Sequence, residues 1–239
     1  PICCPCSDLC YLFPEALTYS ENVMRGKEQK NYNDYYYYGQ ALAGNDKFQE
    51  AINAYNKCLE LKPGEVDPLS KLSAAYAGLG DGDKALDFQR QYLEKGTNIT
   101  STDWADFAGI YIKMGDQVDS LDHAKAVGYY TQAMDVYEKM TEKFPTLKDW
   151  CWVAEASVAL GKLKDLDKVR DLYTKVAEYE EAKADKSDAN TKNYLSAAYY
   201  FLGYYYAGKN DAETSKSYFE KLIQIDPENA EAKKALGLE

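Results

Sequence analysis

Residues 32–65 read YNDYYYYGQALAGNDKFQEAINAYNKCLELKPGE, and this stretch decides the fold. Its apolar residues recur at helical spacing on both sides of a polar turn, Gly44-Asn45-Asp46-Lys47. Such a pattern predicts two amphipathic helices joined by a short connection. Pro63 cannot continue the second helix, and it therefore helps to fix the angle at which the chain leaves.

The same pattern returns 34 residues further on. Each copy places one small residue in each helix, which are Gly39 and Ala51 in the first copy and Ser73 and Ala85 in the second. Small residues at these positions let the two helices of a pair approach closely. A repeat of this length indicates a protein built from stacked helix pairs.

Three more copies are visible, two of them irregular. The copy at 101–146 carries about 13 extra residues around Asp116–Gly128, and the copy at 147–180 has about three extra residues in its turn. The copy at 194–227 fits the pattern best. Residues 228–239 predict a short capping helix, because the last face of a repeat array would otherwise leave apolar surface exposed.

The N-terminal end of the sequence does not fit the repeat. Residues 14–30 predict the second helix of an incomplete pair, with Pro14 near its first turn. Residues 1–13 show no helical pattern, and we interpret them as an irregular cysteine-rich segment left by truncation or as an expression remnant. The first residue is Pro rather than Met, which agrees with a natural chain that continues upstream.

Four of the six cysteines lie in the first ten residues: Cys3, Cys4, Cys6 and Cys10. Four thiolates could hold zinc or an iron–sulfur cluster, but adjacent cysteines disfavour tetrahedral closure. We therefore favour disulfides or free thiols over a metal site, with an unreliable stretch of sequence as the third interpretation. Cys58 and Cys151 lie at helix positions that predict buried, unreactive thiols.

The repeats resemble the tetratricopeptide repeat (TPR), whose signature of large, small and aromatic positions ends in Pro. The resemblance implies an all-α fold, a right-handed superhelical solenoid of antiparallel helix pairs with a C-terminal capping helix. It extends over 14–239 as one solenoid, with the half repeat 14–30, the repeats 32–65, 66–99, 101–146, 147–180 and 194–227, and the cap 228–239.

A narrower likeness is carried by four stretches: Trp150–Leu172, the charged linker Glu178–Asp188, Tyr194–Tyr206 and the closing Ile225–Ala230. These stretches look like the C-terminal part of secreted TPR proteins of Bacteroidetes. That likeness implies a bacterial periplasm or cell envelope as the setting, with the cytoplasm as the alternative. It also implies binding without catalysis.

In the TPR family, certain positions of each first helix face the concave groove. By this resemblance, the candidate groove residues are Asn33, Tyr36, Gln40, Ser70, Lys71, Asp106, Trp152, Glu155, Tyr200 and Tyr204, together with the small residues Ala74 and Gly109. Aromatic rings with scattered amides and few charges suit an extended peptide. The resemblance thus implies a scaffold for a protein or peptide partner. The alternative is a cell-envelope accessory protein that binds glycan or assembles an outer-membrane complex.

Most of the 23 tyrosines need no binding role. Ten lie at packing positions of the repeat: Tyr35, Tyr38, Tyr55, Tyr76, Tyr92, Tyr111, Tyr137, Tyr173, Tyr199 and Tyr206. We expect these rings to fill the core while their hydroxyls reach water or a backbone acceptor.

Composition and motifs argue against other classes of function. The net charge of −11 offers no basic surplus for nucleic acid, and no apolar run is long enough to span a bilayer. The single histidine, His123, has Asp119 and Ser120 nearby, but neighbours on one turn cannot form a catalytic relay. We expect His123 in a solvated loop, and we expect no enzyme activity and no cofactor. The glycine-rich Gly78-x-Gly80-x-Gly82 lacks the context of a phosphate loop and predicts an inter-helix turn.

Overall fold

The computed structural model describes residues 9–183 and 188–238, with the backbone alone for residues 9–13. Every regular element in these ranges is helical, so the prediction of an all-α chain is confirmed for this part of the sequence. The twelve α-helices are α1 (Leu9–Gly26), α2 (Tyr32–Ala43), α3 (Phe48–Leu61), α4 (Asp67–Leu79), α5 (Gly82–Lys95), α6 (Ser101–Val118), α7 (His123–Lys143), α8 (Lys148–Val158), α9 (Leu166–Glu181), α10 (Ala189–Gly208), α11 (Ala212–Ile225) and α12 (Ala230–Ala235).

The contacts cluster in two compact units, which divide between Met114 and Gly115 inside α6. In the first unit, each helix from α1 to α5 packs on the next one along the chain. In the second unit, the same is true from α7 to α12. Packing between sequence neighbours is the mark of a helical repeat. Antiparallel pairs therefore form within each unit as predicted.

Close approach within a pair depends on small residues, of which Gly39 was predicted from the sequence. In the α2–α3 pair, a Cβ on Gly39 would stand 2.6 Å from Cε1 of Tyr55, a ring that is 1% exposed. In the α10–α11 pair, a Cβ on Gly203 would stand 2.8 Å from Cζ of Phe219. Each ring occupies the space that a glycine leaves, so the glycine sets the distance between the two helices.

Hydrogen bonds reinforce the same positions in two pairs. The buried hydroxyl of Ser73 donates to the carbonyl oxygen of Ala85 at 2.8 Å, from α4 to α5. In the last pair, the direction is reversed, since Ser215 of α11 donates to the carbonyl oxygen of Gly203 at 2.9 Å. A small polar residue at either of the two facing positions thus ties the pair together.

The turn between α4 and α5 has the conformation that its glycines predict. Gly80 ends α4 with φ +81°, in the left-handed region that favours glycine. Asp81 then caps α5, accepting from the backbone N–H of Lys84 at 3.3 Å. The interpretation of this segment as an inter-helix turn is confirmed.

The extra residues of the 101–146 copy do not form a solvated loop, which corrects the prediction. Helix α6 continues to Val118 and α7 begins at His123, so most of the extra length is helical. Gly115 is interior to α6, and the ring of Tyr130 occupies the space beside it. His123 is exposed as expected but is the first residue of a helix, with its Nδ1 2.6 Å from Oδ1 of Asp119.

The extra residues of the 147–180 copy are also helical. After α8, the chain makes a π-helical turn over Ala159–Leu163. Lys164 then ends it with φ 57°, and Asp165 caps α9 by accepting from the N–H of Lys168 at 3.0 Å. The extra residues are therefore accommodated in a π-helical turn at the end of the first helix, and not only in the connection to α9.

The N-terminal helix starts earlier than the sequence predicted. Helix α1 begins at Leu9, so Leu9–Phe13 are helical and not irregular. Pro14 removes one backbone hydrogen bond, yet the apolar residues on its N-terminal side continue the helix. The cysteine cluster lies outside the described residues, since Cys3, Cys4 and Cys6 are not described and only the backbone of Cys10 is.

The other cysteines and the packing tyrosines occupy the predicted environments. Cys58 and Cys151 are buried free thiols, and burial raises the pKa of each to about 11. None of the ten packing tyrosines is exposed: Tyr55, Tyr111, Tyr137 and Tyr199 are buried, and the other six are half-buried. Among the described helices, none is both long and apolar enough to cross a bilayer.

Candidate functional site

A groove of about 490 Å³ opens in the first unit along α4 and α6. It brings together three of the predicted site residues, Ser70, Lys71 and Asp106, with the predicted small residues Ala74 and Gly109. The remaining lining residues are Phe48, Ser73, Ala77, Gly78, Gln89, Asp103, Ala105, Ile110 and Lys113.

Helices α4 and α6 run in the same direction along this groove. Lys71, near the start of α4, acts electrostatically on Asp106, near the start of α6. At the other end, Lys113 of α6 donates to the carbonyl oxygen of Ala77 in the last turn of α4. Asp106 and Lys113 are seven residues apart and share one face of α6, with about 10 Å of helix rise between them.

Small residues form the centre of the groove. Ala74 and Ala77 contribute from α4, and Gly109 contributes from α6. A Cβ built on Gly109 would meet no atom within 4 Å, so this glycine borders open space and is not required for packing. Phe48 and Ile110 add apolar surface beside them. The centre of the groove is therefore apolar and allows close approach of a ligand.

One acidic residue at the groove is held in place by the start of α6. Thr100 donates to Oδ2 of Asp103 through its backbone N–H at 2.8 Å and its hydroxyl at 2.7 Å. Gln89, buried in α5, donates to the carbonyl oxygen of Asp103 at 2.9 Å. These bonds cap the helix and fix the first turn that carries Asp103.

Asp106 has no comparable partner. Among the described residues, its carboxylate makes neither a hydrogen bond nor an ion pair. Asp106 is exposed at the groove surface, where partial desolvation, followed by the charge of Asp103, raises its pKa, and Lys71 opposes this shift. The groove thus presents an accessible carboxylate that no side chain of the described residues binds directly.

The candidates on α2 lie outside the groove lining. Tyr36 is half-buried, with its ring stacked on Tyr32 at 5.8 Å and edge-on to Tyr55 at 6.2 Å, and burial raises its pKa. Asn33 is exposed and Gln40 is half-buried. Tyr36 therefore serves the packing of the α2–α3 pair, whereas Asn33 is available to solvent.

The candidates on α8 are largely enclosed in the second unit. Trp152 is half-buried and meets the ring of Tyr179 edge-on at 5.8 Å. Glu155 is 4% exposed, and Lys168 of α9 lies 2.8 Å from its Oε1. Burial raises the pKa of Glu155, although Lys168 opposes that shift. This carboxylate joins α8 to α9 and does not face open solvent.

The candidates on α10 are the most accessible aromatic residues of the predicted set. Tyr200 and Tyr204 are 42% and 41% exposed, and their ring centroids are 4.9 Å apart. The hydroxyl of Tyr204 donates to Oε2 of Glu231 in α12 at 2.8 Å, and this bond raises the pKa of Tyr204 to about 12. Tyr204 thereby connects α10 to the short C-terminal helix.

Two charged residues, Asp103 and Lys113, are among the groove residues that the sequence did not predict. Asp103 and Lys113 lie three residues before and seven residues after Asp106, on the same face of α6. Extending the helical spacing from Asp106 in both directions would have identified both.

A second cavity, of about 540 Å³, lies in the second unit and was not predicted. In it, the hydroxyl of Tyr199 and the ammonium group of Lys221 both donate to Oε1 of Glu181, at 2.6 and 2.8 Å.

Comparisons with known proteins identify the repeat. Residues 32–65 and 196–229 each match a family model of the tetratricopeptide repeat. Among solved structures, the chain is similar to the C-terminal part of a TPR repeat-containing protein from Cytophaga hutchinsonii, at 19% identity and a TM-score of 0.63, covering 94% of this chain and 81% of that one. It is also similar to MamA 41-end from Desulfovibrio magneticus RS-1, at 15% identity and a TM-score of 0.50, covering 85% and 99%. No curated protein matches the chain.

These matches confirm that the chain contains tetratricopeptide repeats, and that its fold is the one found in a solved TPR protein. The likeness to secreted proteins of Bacteroidetes stays a prediction from the sequence.

Proposed function

We propose that this chain is a non-catalytic scaffold that binds a peptide segment of a protein partner in the groove along α4 and α6. Tetratricopeptide repeats are generally protein-interaction modules, and repeat arrays offer extended binding surfaces. The observation that carries the proposal is the groove itself, with its small-residue centre and its charged ends. Its volume of about 490 Å³ lies within the usual range of ligand sites.

The groove suits an extended segment better than a folded one. Ala74, Ala77 and Gly109 let a peptide main chain come close to both helices. Ser70 and Lys71 supply donors from α4, and Asp106 supplies an acceptor from α6. An extended main chain presents both N–H and C=O groups, and these side chains can bind both.

Filling the groove is the direct test of this function. In Gly109→Leu, the new side chain would extend into the centre of the groove, since a Cβ at this position meets no atom within 4 Å. Gly128→Leu is the matched control: Gly128 is a glycine inside α7 with equally open space around it. Both variants exchange a helical glycine for leucine, so their effects on helix propensity are similar.

A library of random twelve-residue peptides displayed on phage would be selected on the full chain. We expect clones that bind the wild type and Gly128→Leu but not Gly109→Leu. If every clone binds Gly109→Leu as well as the wild type, or if none binds at all, then the groove is not a peptide site.

The tyrosine pair on α10 favours a second candidate function, binding of glycan by a cell-envelope protein. Tyr200 and Tyr204 expose ring surface on successive turns of α10, and such rings can stack on sugars. A glycan array with wild type and Tyr200→Ala would test it, since loss of a bound glycan in the variant supports stacking. An array without binding would remove this candidate. The bacterial envelope is proposed as the setting from the sequence resemblance alone, and fractionation of the native cells would test it.

A further inference from the structure

We propose that the groove selects a basic peptide segment, in which a Lys or Arg side chain lies against Asp106 and a neighbouring apolar side chain lies over Ala74 and Gly109. This selectivity rests on the proposed function, because it requires the groove along α4 and α6 to be the peptide site. It adds the chemistry of the ligand, which the repeat fold does not determine.

Asp106 carries the electrostatic part of the proposal. It lines the groove without a hydrogen bond or ion pair among the described residues, and Asp103 lies close enough for its negative charge to act on it. A guanidinium or ammonium group beside Asp106 would compensate this charge. Asp103 would add to the attraction, since it lines the same end of the groove.

The two lysines of the groove do not favour an acidic ligand. Lys113 already donates to the carbonyl oxygen of Ala77, where it also complements the C-terminal dipole of α4. Lys71 acts on Asp106, but the negative charge of Asp103 acts on the same carboxylate, so this single lysine faces two carboxylates. The whole chain carries −11, which repels acidic peptides and attracts basic ones at a distance. Charge complementarity therefore points to a cation.

The preference for an apolar side chain in the ligand follows from the centre of the groove. Gly109 lies three residues after Asp106 on the same face of α6, so the open apolar centre is directly beside the acidic end. Ala74, Ile110 and Phe48 surround it with carbon atoms and offer few polar partners. A side chain such as Leu or Phe next to the basic residue would remove this surface from water.

The test uses the phage clones that depend on the groove, as defined by loss of binding to Gly109→Leu. Their affinities would be measured as synthetic fluorescein-labelled peptides by anisotropy, against the full chain and Asp106→Asn. Asp135→Asn is the control, because Asp135 is an exposed carboxylate in the middle of α7 and the change in net charge is the same. Asp106→Asn breaks no hydrogen bond of the fold, so we expect it to fold normally.

We expect groove-dependent clones to be enriched in a Lys or Arg next to an apolar residue. Their affinity should fall by about fivefold in Asp106→Asn and remain unchanged in Asp135→Asn. Lys71→Gln should strengthen the same clones, because it removes the cation that competes for Asp106. A merely structural role of these residues would not produce opposite changes.

Two results would overturn the selectivity, and they differ from failure of the proposed function. Groove-dependent clones without a basic residue, or with affinities indifferent to Asp106→Asn, would leave the peptide groove intact and refute the basic ligand. The absence of any groove-dependent clone would refute both proposals.

Discussion

Replacing Gly203 by alanine should destabilise the second unit, although alanine is the better helix former. The new Cβ would stand 2.8, 2.9 and 3.0 Å from Cζ, Cε1 and Cε2 of Phe219, where ordinary contacts begin at 3.4 Å. Phe219 is 2% exposed and meets Tyr204 edge-on at 5.1 Å, so its ring cannot swing outward. The two helices must therefore move apart or the ring must leave its preferred rotamer.

The size of the effect follows from two opposing contributions. Overpacking of a core costs about 1–3 kcal/mol. Exchange of a helical glycine for alanine gains about 1 kcal/mol. Gly203→Ala should then lose about 0–2 kcal/mol in the free energy of unfolding.

A matched control removes the uncertainty in helix propensity. Gly128 lies inside α7 in the same unit, and a Cβ there would meet nothing within 4 Å. Gly128→Ala should gain about 1 kcal/mol, so the two variants should differ by about 1–3 kcal/mol, which is the cost of the clash itself. Urea denaturation followed by circular dichroism at 222 nm measures this difference.

A second variant identifies the ring as the cause. In a Phe219→Leu background, the side chain no longer fills the space over Gly203, so the Gly203→Ala substitution should cost less there than in the wild type. If Gly203→Ala is as stable as Gly128→Ala, or if its cost is the same in both backgrounds, the glycine does not set the spacing of the pair.

Three other predictions follow from single contacts. Ser73→Ala should lose about 1 kcal/mol in urea denaturation, because it removes the buried bond to Ala85, whereas Ser157→Ala, at an exposed site, should be near neutral. Burial raises the pKa of Glu155 in the folded state, so its contribution to stability is present below the unfolded pKa and is lost as pH rises through the folded pKa. Glu155→Gln should therefore gain stability relative to the wild type between pH 4 and pH 7, and a relative loss over that interval would contradict the burial. Tyr204→Phe should speed hydrogen exchange in α12 by removing the bond to Glu231, while Tyr19→Phe, at an exposed position of α1, should leave α12 unchanged.

The helix pairs could be predicted because their determinants are local and periodic. Gly39 and Ser73 mark where helices touch, and Gly80 marks where one ends. The same signals misled the prediction in the 101–146 copy. Gly115 directly precedes the extra residues, yet it lies inside α6 and leaves space for the ring of Tyr130. The sequence alone does not distinguish a glycine that is required for packing from a glycine that is required for a turn.

The candidate site was predicted less well, since exposure depends on side chains from other helices. Ser70, Lys71 and Asp106 meet at the groove because the repeat places them on facing helices. Glu155 fits the same positional rule but is covered by Lys168, which comes 13 residues later on α9. Tyr204 is likewise engaged by Glu231 of α12. Neither partner can be recognised from the repeat pattern, because neither lies at one of its defining positions.

The most direct test of the peptide groove is to locate a bound peptide on the chain. A groove-selected peptide would be titrated into the ¹⁵N-labelled protein while the backbone amide signals are followed by NMR. Signals of residues 70–78 on α4 and 103–113 on α6 should shift together, with a single dissociation constant. Shifts confined to other helices, such as α2 or α10, would contradict the assignment of the groove as the binding site.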